Sequence, residues 1–220
     1  MKIAIVFNDV HLQPGNEESV IHSIKHMVKY AQENKISDVI FAGDMFESRS
    51  VQRQSVLLAL DEILDLIHKG GLKLYMFPGN HDKTTYSSAS SFLDVYRHYP
   101  SVEFNKDITT IKIKNVSITL LPFFSDNVLV PKIEEAEGSD ILISHFEMKG
   151  STHLSQVSEK SVINRTMLKK WSKVYLGHYH NTHEISKSIV HLPAFQQRNF
   201  GEDSNKGFSV LSDDLSYKIV

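Results

Sequence analysis

Apolar residues along this chain fall at two spacings, and the alternation between them predicts most of the elements. "KIAIVF" (Lys2–Phe7), "ISDVIFAG" (36–43) and "LKLYMF" (72–77) are short, apolar and β-branched, the pattern of buried strands. Between the first two, Val20, Ile21, Ile24, Met27, Val28 and Ala31 recur at helical spacing. Between the next two, "VQRQSVLLALDEILDLIHKGG" predicts a second helix, stopped by Gly70 and Gly71. Strand–helix–strand–helix–strand argues for a parallel sheet with covering helices. After Pro100 the pattern changes. "ITTIKIK" and "VSITLLPF" flank Asn115 as a hairpin, and "SDILISH" and "SKVYLGH" read as short strands. A helix is expected over "KSVINRTMLKKW", and a β-rich tail with turns at 186–188 and 213–214.

Composition changes this picture little. The 220 residues, 41% apolar and 23% charged, suit one generous domain, and the expectation is a single domain over 1–220. A net charge of −2 means that any attraction to phosphate must come from a local patch or from bound cations. There is no cysteine, which excludes disulfides and thiolate metal sites and suits a cytoplasmic protein. No apolar run approaches the ~20 residues of a membrane span, so no membrane association is expected.

Histidine is the outlier, with 12 copies, and several share one position type. Asp9 and His11 follow the first strand, Asp44 the second, and Asn80, His81 and Asp82 the third. His145 follows "ILIS", and His178 and His180 follow "KVYL". Each residue alone is better read as a turn former or solvated cap. Five strands ending alike is a different matter, because carboxyl ends of strands in open α/β sheets converge where ligands bind. Carboxylates, an amide oxygen and imidazoles at one place fit a binuclear metal centre. Such oxygen and nitrogen donors suit Mn²⁺, Fe or Zn better than Ca²⁺. Asp44, alone in its loop behind Gly43, is the best bridge between two cations. Asp82 either orients His81 or caps the next helix.

These residues fall in D-x-H (Asp9, His11), G-D (Asp44), G-N-H-D (Asn80, His81, Asp82), H (His145) and G-H-x-H (His178, His180) motifs. In them the chain resembles the calcineurin-like metallophosphoesterase superfamily. The resemblance implies an α/β fold, a four-layer αββα sandwich of two mixed β-sheets flanked by helices. It implies one cation on Asp9, His11, Asp44 and His180, and a second on Asp44, Asn80, His145 and His178. His81 is then the catalytic imidazole that is not a ligand, acting as water attacks phosphorus in line.

Within the superfamily, "HLPAFQQRNFGEDSNKGFSVL", "GDMFE" and "HFEMKG" resemble SbcD-type and phage recombination nucleases. That likeness implies Mn²⁺-dependent cleavage of DNA, as exonuclease and single-strand endonuclease, in repair or recombination. Mg²⁺ is a further candidate ion. It also implies a homodimer, through exposed Phe92, Val95 and Tyr96, and an SbcC-type ATPase partner. The cap domain and partner-binding tail of those nucleases have no counterpart in these 220 residues. Glu47 departs from the His or Asp of several relatives. Arg49, Lys83 and Tyr86, near the motif loops, are candidates for touching a phosphate backbone. A small-nucleotide or phosphoprotein phosphatase is the alternative on the same metals. A catalytically inactive scaffold is disfavoured, because His81 and all the ligand positions are present.

Overall fold

A computed structural model describes residues 1–153, 156–157 and 161–220. In chain order its strands are β1 (Lys2–Phe7), β2 (Asp38–Ala42), β3 (Lys73–Phe77), β4 (Val102–Phe104), β5 (Thr109–Ile113), β6 (Val116–Leu121) and β7 (Ile141–Ser144). There follow β8 (Thr152–His153), β9 (Gln156–Val157), β10 (Lys173–Leu176), β11 (His183–Ser186), β12 (Ile189–His191), β13 (Ser209–Ser212) and β14 (Tyr217–Ile219). The helices are α1 (Glu17–Glu33), α2 (Gln54–Lys69) and α3 (Asp126–Glu135).

Two mixed six-stranded sheets result, ordered β14-β13-β1-β2-β3-β4 and β11-β12-β10-β7-β6-β5. Strands β1 to β4 run parallel, as do β6, β7, β10 and β12; β13, β14, β5 and β11 are antiparallel additions. The contiguous apolar runs are explained by burial on both faces. In β2, Val39 and Phe41 face α1 and α2, whereas Ile40 and Ala42 face the second sheet. Val20, Ile24 and Met27 of α1 and Leu60, Ile63 and Ile67 of α2 supply the first outer layer. Leu129 and Ile133 of α3, with Ile163, Leu168 and Trp171, supply the other. The layers are therefore αββα on two mixed sheets, as the resemblance implied.

Two local expectations fail. The segment 165–170 is a series of turns, not a helix; Asn164 Oδ1 takes the Thr166 N–H at 3.0 Å, an alternative to helical bonding. Lys160, the first residue of that expected helix, lies outside the described residues. Trp171 is buried and donates to Thr119, while Lys170 donates to the carbonyls of Ile133, Glu134 and Ala136 and so closes α3. Finally, Phe92 and Tyr96 lie in a 3₁₀ turn and pack partly on the core, so only Val95 of the expected dimer face stands in solvent. Among the described residues, no helix is long and apolar enough to cross a membrane.

Candidate metal centre

The carboxyl ends of β1, β2 and β3 in one sheet, and of β7 and β10 in the other, open onto the same place. Backbone bonds sew the loops together: Asp9 N–H to Gly43 O at 3.0 Å, His11 N–H to Asp44 O at 3.1 Å, and Gly177 N–H to Ser144 O at 2.9 Å. Asp9, His11, Asp44 and His178 all have positive φ, of 51°, 48°, 62° and 88°. A left-handed backbone at a residue other than glycine is strained, and such strain concentrates at functional sites. Close approach is enforced by glycine. A Cβ on Gly79 would fall on Asp44 Oδ1, and one on Gly43, itself at φ 90°, would lie 2.6 Å from His145 Nδ1.

The side chains converge as the spacing predicted. Ligand atoms of Asp9, His11 and His180 lie within 4.8 Å of one another, as do those of Asp44, His145 and His178. Asp44 Oδ2 stands between the two groups, 3.1 Å from His145 Nε2 and 3.7 Å from His11 Nε2. Its Oδ1 accepts the His81 N–H at 2.8 Å. Asp9 Oδ2 accepts from His178 N–H at 3.0 Å and Asn8 Nδ2 at 2.5 Å, which leaves Oδ1 buried without a hydrogen bond. His145 Nε2 is likewise buried without one, while its Nδ1 donates to Ala42 O at 2.8 Å. Asn80 Oδ1 lies 3.0 Å from His178 Nδ1.

Sequence reasoning missed what stands behind these groups. His180 Nδ1 lies 2.7 Å from Glu202 Oε1, and His11 Nδ1 lies 2.9 Å from Glu47 Oε2. Arg198 joins the two carboxylates: its guanidinium pairs with Glu47 and its backbone N–H donates to Glu202 Oε2 at 3.1 Å. With both Nδ1 atoms turned to carboxylates, the Nε2 atoms of His11 and His180 face each other 3.2 Å apart. Two imidazole nitrogens aimed at one point, beside Asp9 Oδ1, form the donor set of a cation site with backing carboxylates. The only sequence signal for Glu202 was its place in the F-G-E stretch.

Electrostatics agree. Burial alone would raise Asp9, but His145, His11 and His180 hold it well below the usual carboxylate range. Asp44 is lowered in the same way, chiefly by His145 against the cost of burial. Burial opposes charge on His145, yet Asp44 and Asp9 raise it to about 9; His11 reaches about 9 against burial through Asp9 and Glu47. Burial and the neighbouring His145 push His178 down to about 4. The carboxylates hold positive charge among them, a place that a dication can take from protons.

Two expected residues act differently. Asp82 neither orients His81 nor caps a helix: its carboxylate accepts the N–H groups of Asp44, Met45, Phe46 and Gly79 at 2.8–3.2 Å, tying the β2 loop to the β3 loop. Burial and Asp44 raise it to about 7, against those N–H bonds. Lys83 is buried and donates to Phe123 O at 2.9 Å, so it braces a loop instead of reaching a substrate. Arg49 lies over the Tyr86 ring, 4.2 Å from its centroid, and Tyr86 is half exposed. His81 is partly buried at the rim, with Nδ1 2.8 Å from Glu47 O and its ring edge-on to His11.

The family model for calcineurin-like phosphoesterases matches residues 1–204. The chain belongs to this family. Among solved structures, a dimetal phosphatase from Danio rerio is similar at 12% identity and a TM-score of 0.59, over 95% of this chain and 91% of that one. A nuclease, MPE, from Pseudomonas putida matches at 14% identity and a TM-score of 0.46, over 94% of this chain and 84% of that one. No curated protein matches. At such identity the likeness to the phosphatase is one of fold. The calcineurin-like phosphoesterase fold is a dimetal fold, and this chain carries a donor set that fits it.

Proposed function

We propose that this calcineurin-like phosphoesterase hydrolyses phosphodiesters with two divalent cations, Mn²⁺ before Fe, Zn or Mg²⁺, and that its substrate is single-stranded DNA. The observation that carries the reading is the inward aim of buried donors: His11 and His180 Nε2 at 3.2 Å, with Asp9 Oδ1 and His145 Nε2 lacking hydrogen bonds. Asp9, His11, Asp44 and His180 would hold one cation, and Asp44, Asn80, His145 and His178 the other. Two cations there neutralise phosphoryl oxygens and lower the pKa of the attacking water. Glu202, 2.7 Å from His180 Nδ1, fixes that imidazole in the tautomer that presents Nε2, and Glu47 stands as a carboxylate 2.9 Å behind His11 Nδ1. His81, held through Nδ1 by Glu47 O, keeps its other nitrogen for the leaving oxygen. Asp82 enters as the clamp between the two loops.

DNA over a phosphomonoester is supported by the aromatic surface beside the cluster, where Tyr86 and Phe123 lie 5.3 Å apart between centroids. The test is hydrolysis by Mn²⁺-loaded protein of a labelled single-stranded oligonucleotide against p-nitrophenyl phosphate. Shortening and internal cuts of the oligonucleotide are expected. Monoester hydrolysis with intact DNA would replace this reading by the phosphatase one.

A further inference from the structure

A cleft of about 560 Å³ opens directly from the cluster, since Asn80 and His178 both line it. Four rings, Tyr86, Phe123, Phe124 and Phe146, line it together with polar side chains that include Asp126 and Glu147. The volume lies within the range of sites that hold a small organic ligand, roughly 300–1,000 Å³. We propose that this cleft is a nucleobase subsite, holding the base of the nucleotide whose phosphate lies on the cluster. The inference rests on the phosphoester reading above and deepens it by naming what is esterified.

Three observations carry it. The first is connectivity, because a ligand with a phosphoryl group near Asn80 and His178 has this cleft's rings beside it on that flank. The second is rigidity. Phe123 N–H donates to Pro78 O at 3.0 Å, Lys83 Nζ donates to Phe123 O at 2.9 Å, and Arg49 Nε donates to Lys83 O at 3.2 Å. The wall residues are thus tied to the same β3 loop that carries Asn80 and His81. Arg49 covers one side of Tyr86 and Phe123 packs beside it, so the ring is held in place before a ligand arrives. A pre-set ring surface is what base stacking uses, and it serves any base because every base has a π-face.

The third is charge. Asp126 and Glu147 line the cleft, and among the described lining residues there is no lysine or arginine. Carboxylate and amide side chains on that wall, Asp126, Asn127 and Glu147, suit the hydrogen-bond donors on the edge of a base. A phosphorylated tyrosine side chain also carries a ring, but its ring is bonded directly to the phosphoryl oxygen, whereas a base stands a sugar further away.

The experiment uses stable phosphonates and reads binding, not turnover. Mn²⁺-loaded protein is titrated by calorimetry with the 5′-phosphonate of 2′-deoxyadenosine, with the same phosphonate of the abasic deoxyribose, and with phenylphosphonate. The deoxyadenosine compound is expected to bind about ten-fold or more tightly than the abasic one. Tyr86→Ala and Phe123→Ala should each bring that ratio towards one, with the abasic affinity unchanged. Tyr86 is half exposed, so Tyr86→Ala keeps the fold even if Phe123→Ala does not. The inference is overturned if the wild-type ratio is near one, if Tyr86→Ala leaves it intact, or if phenylphosphonate binds as tightly as the deoxyadenosine compound. Cleavage of DNA with equal binding of the deoxyadenosine and abasic phosphonates would sink only this inference. A base preference without DNA cleavage would sink only the choice of DNA.

Discussion

On the Asp9 flank of the cluster both imidazoles back onto carboxylates, Glu47 and Glu202, which Arg198 joins. On the Asn80 flank His145 Nδ1 leans on the Ala42 carbonyl, and His178 Nδ1 faces the Asn80 amide oxygen. One flank is oriented by Glu47 from the loop after β2 and by Arg198 and Glu202 from the segment after β12, the other by main chain and by neighbours in its own loops. The carboxylate-backed flank can be loosened by a single substitution outside the donor set. The other flank can be loosened only through its own donors or its backbone.

Breaking both flanks at once gives the largest effect. Asp44→Asn removes the atom that stands between the two groups, and loss of both cations with an activity drop of about 10³-fold or more is expected. Metal content by mass spectrometry and oligonucleotide hydrolysis read it; a fully loaded, active variant would remove Asp44 from its assigned place. Next, His81→Ala should slow hydrolysis by about 10²- to 10⁴-fold while both cations stay bound. Unchanged hydrolysis would refute the proton role.

Glu202→Gln separates the flanks. It should weaken one cation by about 10- to 100-fold and leave the other unchanged, seen as a split of the Mn²⁺ titration into two phases. Equal weakening of both phases would show that the flanks are not independent. The smallest effect lies behind the Asn80 flank. His191 is buried, with Nε2 2.7 Å from Ser151 Oγ and Nδ1 3.0 Å from Gly177 O, and burial with His178 nearby lowers it to about 3. Its folded value lies below the ordinary 6.5, so the unfolded chain binds the extra proton between these values. The stabilisation is complete above about pH 6.5 and is lost as pH falls towards 3. Urea unfolding at pH 7 and pH 5 should differ by about 2 kcal/mol from this group, and His191→Gln should remove that part of the difference. A pH dependence identical to that of the wild type would rule it out.

Much of the donor set was legible because a parallel strand must end somewhere, and each of these ends in Asp, Asn or His where solvent or a turn would have accepted Ser or Lys. Glycine before Asp44 and before Asn80 was legible for the same reason, and the short Cβ distances give its cause. What stayed hidden was long-range or carried by weak local patterns. Asp82 looked catalytic beside His81, yet its carboxylate points to four backbone N–H groups. Lys83 looked like a phosphate contact, yet it turns inward to Phe123. The turns at 165–170 follow a good apolar pattern, and only the bonding of Asn164 ends the helical alternative locally.

The order of residues alone determined the strands that carry the chemistry, and that their ends could share one place, because periodicity and loop position are local properties of the chain. Tertiary structure decided that the ends belong to two facing sheets, that Glu47, Glu202 and Arg198 stand behind His11 and His180, and that rings line a cleft beside Asn80. These are contacts between segments far apart in the chain. Their geometry is set by how the layers pack, and no local pattern encodes it.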